Sequence, residues 1–370
     1  MRKSNSPLSV SIAIAVAFMV VITTQALSQQ APKAEQLTFE SAPVAGEPFG
    51  FTSANSGISS SLTVTPDERW DNRSAQALID EEAAEASSVT PNLVLTGGID
   101  HVAAGTGTRN SGHGTICIRG VPSGATVIFA YLYWGTIYAS PAPFSATAVF
   151  RGTTVTGSLI GTATQPCWNS AGVFAVYRAN VKSLILAGVN NDYKVTGLAS
   201  AVTNNSNPWS PITTTLPMSE GASLVILYSH SSVPSSSQFY LYHGPHFTSS
   251  TLTITTNFSP PIPTHSILKH TRIGADGQVG TGIKPWAAAT DEKTYIGPTT
   301  ASLVLIRGSG SARNYASDFN GINGWPLNQL WDTNTDDITG TIPAGAGSYV
   351  TRYVSRGDCI EVVAQILNAR

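Results

Sequence analysis

The chain has 370 residues, of which only 11% are charged, with 20 Lys and Arg against 22 Asp and Glu. That charge density is roughly half the usual share for soluble domains, and the slight acidic excess excludes the basic face that a nucleic-acid partner requires. The length excludes a mini-protein and suits two domains of ordinary size.

The first residues predict export. Arg2 and Lys3 form a short basic segment, Ile12 to Ile22 is an unbroken apolar run, and Ala26-Leu27-Ser28 supplies small residues for a signal peptidase. Residues 1–28 therefore read as a bacterial-type signal peptide, with Gln29 as the new N-terminus. The apolar run is shorter than the about 20 residues of a membrane-spanning helix, and no second long one follows. The expectation is a soluble mature chain without a membrane span, extracellular or periplasmic. It retains 22 acidic residues against 18 basic ones, the 20 less Arg2 and Lys3.

Residues 29–90 read as a linker or arm rich in Gln, Ala, Pro, Ser and Gly. Within it, Ser74 to Ala86 predicts one short helix, with Ser74 as cap and Ala, Leu and Glu as strong helix formers. Its Asp80, Glu81, Glu82 and Glu85 read as a solvated face.

From Asn92 onward the pattern is all-β. Short β-branched and aromatic runs are broken by Gly, Pro, Asn and Ser every eight to twelve residues. The predicted strands are Leu93–Leu95, Gly114–Arg119, Thr126–Trp134, Ala146–Arg151, Gly172–Tyr177 and Tyr193–Leu198. A second series comprises Ser223–Tyr228, Gln238–Tyr242, Ser250–Thr256, Ala301–Arg307, Tyr349–Val354 and Cys359–Leu367. Thr126 to Trp134 is apolar on both alternating faces, which predicts a central strand covered on both sides. A faint repeat relates Gly124–Tyr131 to Gly221–Tyr228. The expected organisation is two jelly-roll-like β-sandwich units, 91–215 and 216–370, the second enlarged by an insertion at 247–329.

The Gly-Ala-x-Val-x-x-Ala-Tyr-Leu-Tyr-Trp-Gly run at 124–135, the Gly-Ala-x-Leu-Val-x-x-Tyr run at 221–228 and the Trp331-Asp332 … Asp358-Cys359 segment carry a resemblance. They resemble a functionally uncharacterised group of secreted bacterial and archaeal β-proteins, often found as surface modules. The resemblance covers roughly residues 90–370 and rests on strand patterns. It implies the fold and export and no activity.

Residues that could carry chemistry are sparse. Asp332, Asn334 and Asp336 place oxygen ligands at alternating positions, as a calcium loop does. The fit to an EF-hand is poor, because Asp337 stands where glycine should allow the turn and Pro343 where the closing glutamate should stand. Calcium is the one cofactor the pattern suggests. His243 and His246, with His230, could converge on zinc or copper, although no cysteine or carboxylate joins them. Cys117, Cys167 and Cys359 allow one disulfide in an oxidising compartment, with Cys117 and Cys167 the nearest pair. Trp286, Trp325 and Trp331 are expected in Pro-, Gly- and Asn-rich loops, where they could stack on sugar rings or plug the ends of the core.

No catalytic residue is assigned. No Gly-x-Ser-x-Gly elbow, phosphate loop or dinucleotide fingerprint occurs. The expectation is an exported non-catalytic binding or structural module for a glycan or protein surface. The alternative is a secreted polysaccharide-acting hydrolase using carboxylates such as Asp276, Asp291 and Asp318.

Overall fold

Strand Thr126–Ala139 (β5) shows how this fold is organised. Its even-numbered residues Ala130, Leu132 and Trp134 enter one core, while Phe129, Tyr133 and Ile137 enter another. A strand with period-two side chains that are apolar on both faces must lie between two cores, as its sequence predicts.

The structure, a computed structural model, describes residues 86–89, 91–164, 172–206, 214–248, 250–275, 292–307, 330–355 and 360–370. All belong to one compact unit, Pro66–Arg370. The architecture is all-β, and all twelve predicted strands coincide with observed ones. The expected signal peptide and nearly all of the arm fall outside the described residues. The same holds for the helix over 74–86, except that Ala86 opens a strand, Ala86–Val89 (β1).

An eight-stranded sheet is built from Ile99–Gly107 (β3), Gly114–Cys117 (β4), β5, Ser145–Phe150 (β6), Thr153–Thr164 (β7), Gly172–Asn180 (β8), Asp192–Thr196 (β9) and Met218–Ser229 (β10). Its order is β3-β10-β5-β8-β7-β6-β9-β4. It curls until β4 returns beside β3, where a Cβ on Gly114 would meet Thr106. The interior of the curl holds the first core, with Trp134 stacked on Tyr177 at 5.7 Å.

A five-stranded middle sheet covers part of the outside of that curl. It comprises Leu93–Thr96 (β2), Gln238–Thr248 (β11), Leu268–Ala275 (β13), Trp331–Asp337 (β16) and Ile360–Ala369 (β18), in the order β16-β13-β18-β11-β2. Phe129, Tyr133 and Val225 of the large sheet pack against its Phe239, Trp331 and Ile366. Its other face meets the third sheet, formed by β1, Thr251–Asn257 (β12), Lys293–Gly297 (β14), Val304–Arg307 (β15) and Ser348–Val354 (β17). There Tyr242, Leu367 and Tyr349 share one core and Ile254, Tyr353 and Val362 another.

The division at 215/216 is not where the sheets part. β10 lies beyond it, yet it sits between β3 and β5 in the large sheet, while β2 lies before it and edges the middle sheet. The physical reason is in β10 itself, which is buried along nearly its whole length and apolar on both faces. The segments of the apparent repeat are adjacent antiparallel strands, with Tyr131 opposite Val225. The 247–329 stretch supplies β12 to β15, so it builds two of the sheets instead of interrupting one.

Buried charges bolt the large sheet to the middle sheet. Asp100 on β3 is paired with Lys269 on β13 and accepts from Arg370 Nη1 at 2.6 Å, and Tyr228 Oη donates to it at 3.2 Å. Beside it, His101 Nε2 lies 2.7 Å from Thr271 Oγ1. Such groups are tolerated in a core because each charge has a partner.

Candidate functional site

One row of residues crosses the large sheet from core to solvent. Ser223 lies opposite Tyr133, Tyr133 opposite Arg178, Arg178 opposite Ser158, and Ser158 opposite Ser145. Directly paired residues share a face, so all five point out of the curl, toward the side the middle sheet covers. Ser223 and Tyr133 are fully buried, Arg178 is half-buried, and Ser158 and Ser145 are exposed. Along this row the cover of the middle sheet therefore ends at Arg178, leaving Ser158 of β7 and Ser145 of β6 open, whereas farther along β7 it still reaches Gly161, where a Cβ would meet Pro245 of β11 at 2.6 Å.

The edge of the cover is made by β11. Its register shifts between His243 and His246, with Gly244 at φ 142°, where glycine is far less strained than other residues. The His243 N–H donates to Asn92 Oδ1 at 2.7 Å. His243 Nδ1 lies 3.2 Å from the Tyr133 hydroxyl and 3.3 Å from Arg178 Nη1. A guanidinium only donates, so Nδ1 accepts and the ring proton sits on Nε2. Burial first, then the Arg178 charge, lowers the His243 pKa to about 4, so the ring is neutral at physiological pH.

Arg178 lies 4.6 Å above the Tyr131 ring, and Tyr131 in turn stacks with Phe129 at 4.4 Å. These contacts orient the guanidinium without neutralising it. Among the described residues no carboxylate pairs with Arg178, whereas Lys269, Arg109, Arg272 and Arg307 all meet one. A half-buried, oriented cation beside open hydroxyls can bind an anion through charge-assisted hydrogen bonds.

The residues singled out from sequence fall elsewhere. Trp331 is fully buried, and its indole N–H donates to Ser223 Oγ at 2.8 Å, so its role as a sugar-stacking residue is corrected to that of a core plug. Trp286 and Trp325 lie outside the described residues, as do Asp276, Asp291 and Asp318.

Asp332, Asn334 and Asp336 belong to a strand, not a tight loop, and their alternation is the strand period. Asp336 accepts from Arg272 at 2.8 Å and from Arg307 at 3.0 Å. Two guanidiniums thus stand where a cation would have to approach. Adding calcium is expected to leave the thermal midpoint unchanged, while Asp336→Ala lowers stability by about 3 kcal/mol by stranding buried charge. A calcium-dependent rise in midpoint would restore the loop reading.

His246 shares the bulge with His243, but His230 is engaged with Ser232 Oγ at 2.7 Å. No group of three or more His, Cys, Asp or Glu able to hold a metal occurs among the described residues. Cys117 is a free, exposed thiol whose side chain is hydrogen-bonded to Asp192, and Cys167 lies outside the described residues. Arg178 escaped the sequence reading, although one charge in the apolar run Gly172-Val-Phe-Ala-Val-Tyr-Arg178 is a signal that something uncovers the strand there.

No protein-family model and no curated protein matches the chain. Among solved structures it is similar to the crystal structure of the major capsid protein P2 from Bacteriophage PM2. The two are 12% identical over 73% of this chain and 98% of that one, with a TM-score of 0.22, and nothing is carried over from it.

Proposed function

We propose that the protein is an exported, non-catalytic binding or structural module of the cell surface or extracellular space, acting on a glycan or protein surface. The observation that carries this reading is the half-covered outer face of the large sheet. A three-layer body holds an oriented Arg178, which no carboxylate among the described residues pairs with, at the border of the exposed Ser158 and Ser145. Rigid sheets bearing a pre-oriented polar group bind with little loss of conformational entropy. Export is read from the basic and apolar N-terminal segments.

The test is a pull-down of the purified protein with insoluble polysaccharides and cell envelopes, with the supernatant assayed for released sugar. Retention without release is the expected result. Released sugar would sink the non-catalytic reading in favour of a hydrolase, and would direct attention to Asp276, Asp291 and Asp318.

A further inference from the structure

We infer that the rim formed by Arg178, Ser158 and Ser145 is a subsite for an acidic polysaccharide, a hydroxyl-rich polymer carrying carboxylates; this deepens, and rests on, the binding-module reading. Two independent observations converge on that class of ligand.

The first is the cation. Arg178 is half-buried, stacked on Tyr131 and hydrogen-bonded to His243, yet no acidic side chain among the described residues neutralises it. Elsewhere in the molecule the buried Asp100, Glu220 and Asp336 each meet a basic group. A partly desolvated guanidinium left without an anion is costly unless a ligand supplies one. Its planar fork of N–H donors matches a carboxylate better than a single oxygen.

The second is what surrounds the cation on the open side. Ser158 stands directly opposite Arg178, and Ser145 is opposite Ser158. Two residues along, Thr156 faces Thr147, and all four hydroxyl residues are exposed. Neighbouring strands are about 5 Å apart and same-face residues about 7 Å apart along a strand. The result is a grid of donors and acceptors on the outside of the curl next to one positive charge. An apolar protein partner would require an apolar centre, and a polyphosphate would require several cations. A polymer of sugars with occasional carboxylates requires what this face has.

The test is affinity electrophoresis of the purified protein in gels containing polygalacturonate, neutral dextran or polyglutamate. Polygalacturonate is expected to retard the protein at least about tenfold more strongly than dextran or polyglutamate, less so as salt rises. Arg178→Gln is expected to weaken retardation about tenfold or more. Ser158→Asp tests the same site without touching the core, because an aspartate opposite Arg178 occupies the guanidinium. It should abolish retardation and leave the thermal midpoint unchanged. Retardation unaffected by Ser158→Asp overturns the assignment. Equal retardation by polyglutamate overturns the polysaccharide class, since carboxylates alone would then suffice. If polygalacturonate is ignored while the envelope pull-down still retains the protein, the subsite fails and the binding-module reading stands. If neither retains it, both fail.

Discussion

Trp331→Ala is expected to lower the unfolding free energy by about 3–5 kcal/mol, the range for emptying a fully buried aromatic site. Trp331 has no exposed surface and is among the largest fully buried side chains. It lies on a floor of glycines from three adjacent strands. A Cβ on Gly221 of β10 would stand 2.2 Å from its Cγ, one on Gly135 of β5 2.8 Å from Cζ3, and one on Gly105 of β3 3.1 Å from Cδ1. Its N–H is held by Ser223, which in turn lies 2.6 Å from Thr333 Oγ1. The indole thus fills a space that exists only because three backbones carry no side chain. The same geometry predicts that Gly221→Ala is destabilising by more than 1 kcal/mol, with no flexible group able to move aside. The decisive measurement is the double variant in a denaturant titration. In the Trp331→Ala background the Gly221→Ala penalty should largely disappear, because the clash has gone. Strictly additive losses would rule out direct packing between the two positions.

Acid is expected to unfold the protein in two stages. His101 and His270 are fully buried, and their pKa values are lowered from 6.5 to about 3. Burial is the main cause, with Lys269 adding to it at His101 and Arg272 at His270. A histidine of depressed pKa is neutral in the folded state but protonates in the unfolded chain once the pH falls below about 6.5. Its contribution to stability is therefore whole above that pH and is lost progressively toward pH 3. The slope is at most about 1.4 kcal/mol per pH unit for each histidine. Asp100 and Asp336 follow at lower pH. Burial pushes both carboxyls up, but Lys269 at Asp100, and Arg272 with Arg307 at Asp336, hold them below 3.8. Their contribution is present above the unfolded value and vanishes as pH drops through the lowered one. Urea midpoints measured from pH 7.5 to pH 4 should fall throughout the lower half of that range. His270→Gln should flatten the fall, since glutamine has no proton to gain. A midpoint constant down to pH 4.5 would contradict the burial of both rings.

The all-β class, twelve of the strands and the two-faced burial of β5 were legible because period-two alternation and apolar runs are local properties. What escaped depends on partners distant in the chain. β3 (Ile99–Gly107) is rich in alanine and glycine and carries little β signal, because its small residues make room for Trp331 and Ser223. β16 reads as a polar loop, since nothing near Asp336 in sequence announces Arg272 and Arg307, 64 and 29 residues away. Those two guanidiniums make a buried polar strand affordable. The domain boundary failed for a related reason: β10 has the composition of a central strand, but composition does not say in which sheet. The rim at Arg178 is the extreme case. The isolated charge in an apolar strand was there to see, but only strand register puts Ser158 and Ser145 in its row, and only the packing of β11 against the large sheet decides how far the cover reaches. The sequence alone therefore determined the class of fold, through local periodicity and burial preference. Tertiary structure decided which charges are neutralised and which face stays open, because both depend on contacts between segments far apart in the chain, from 29 residues for Asp336 and Arg307 to 111 for Arg109 and Glu220.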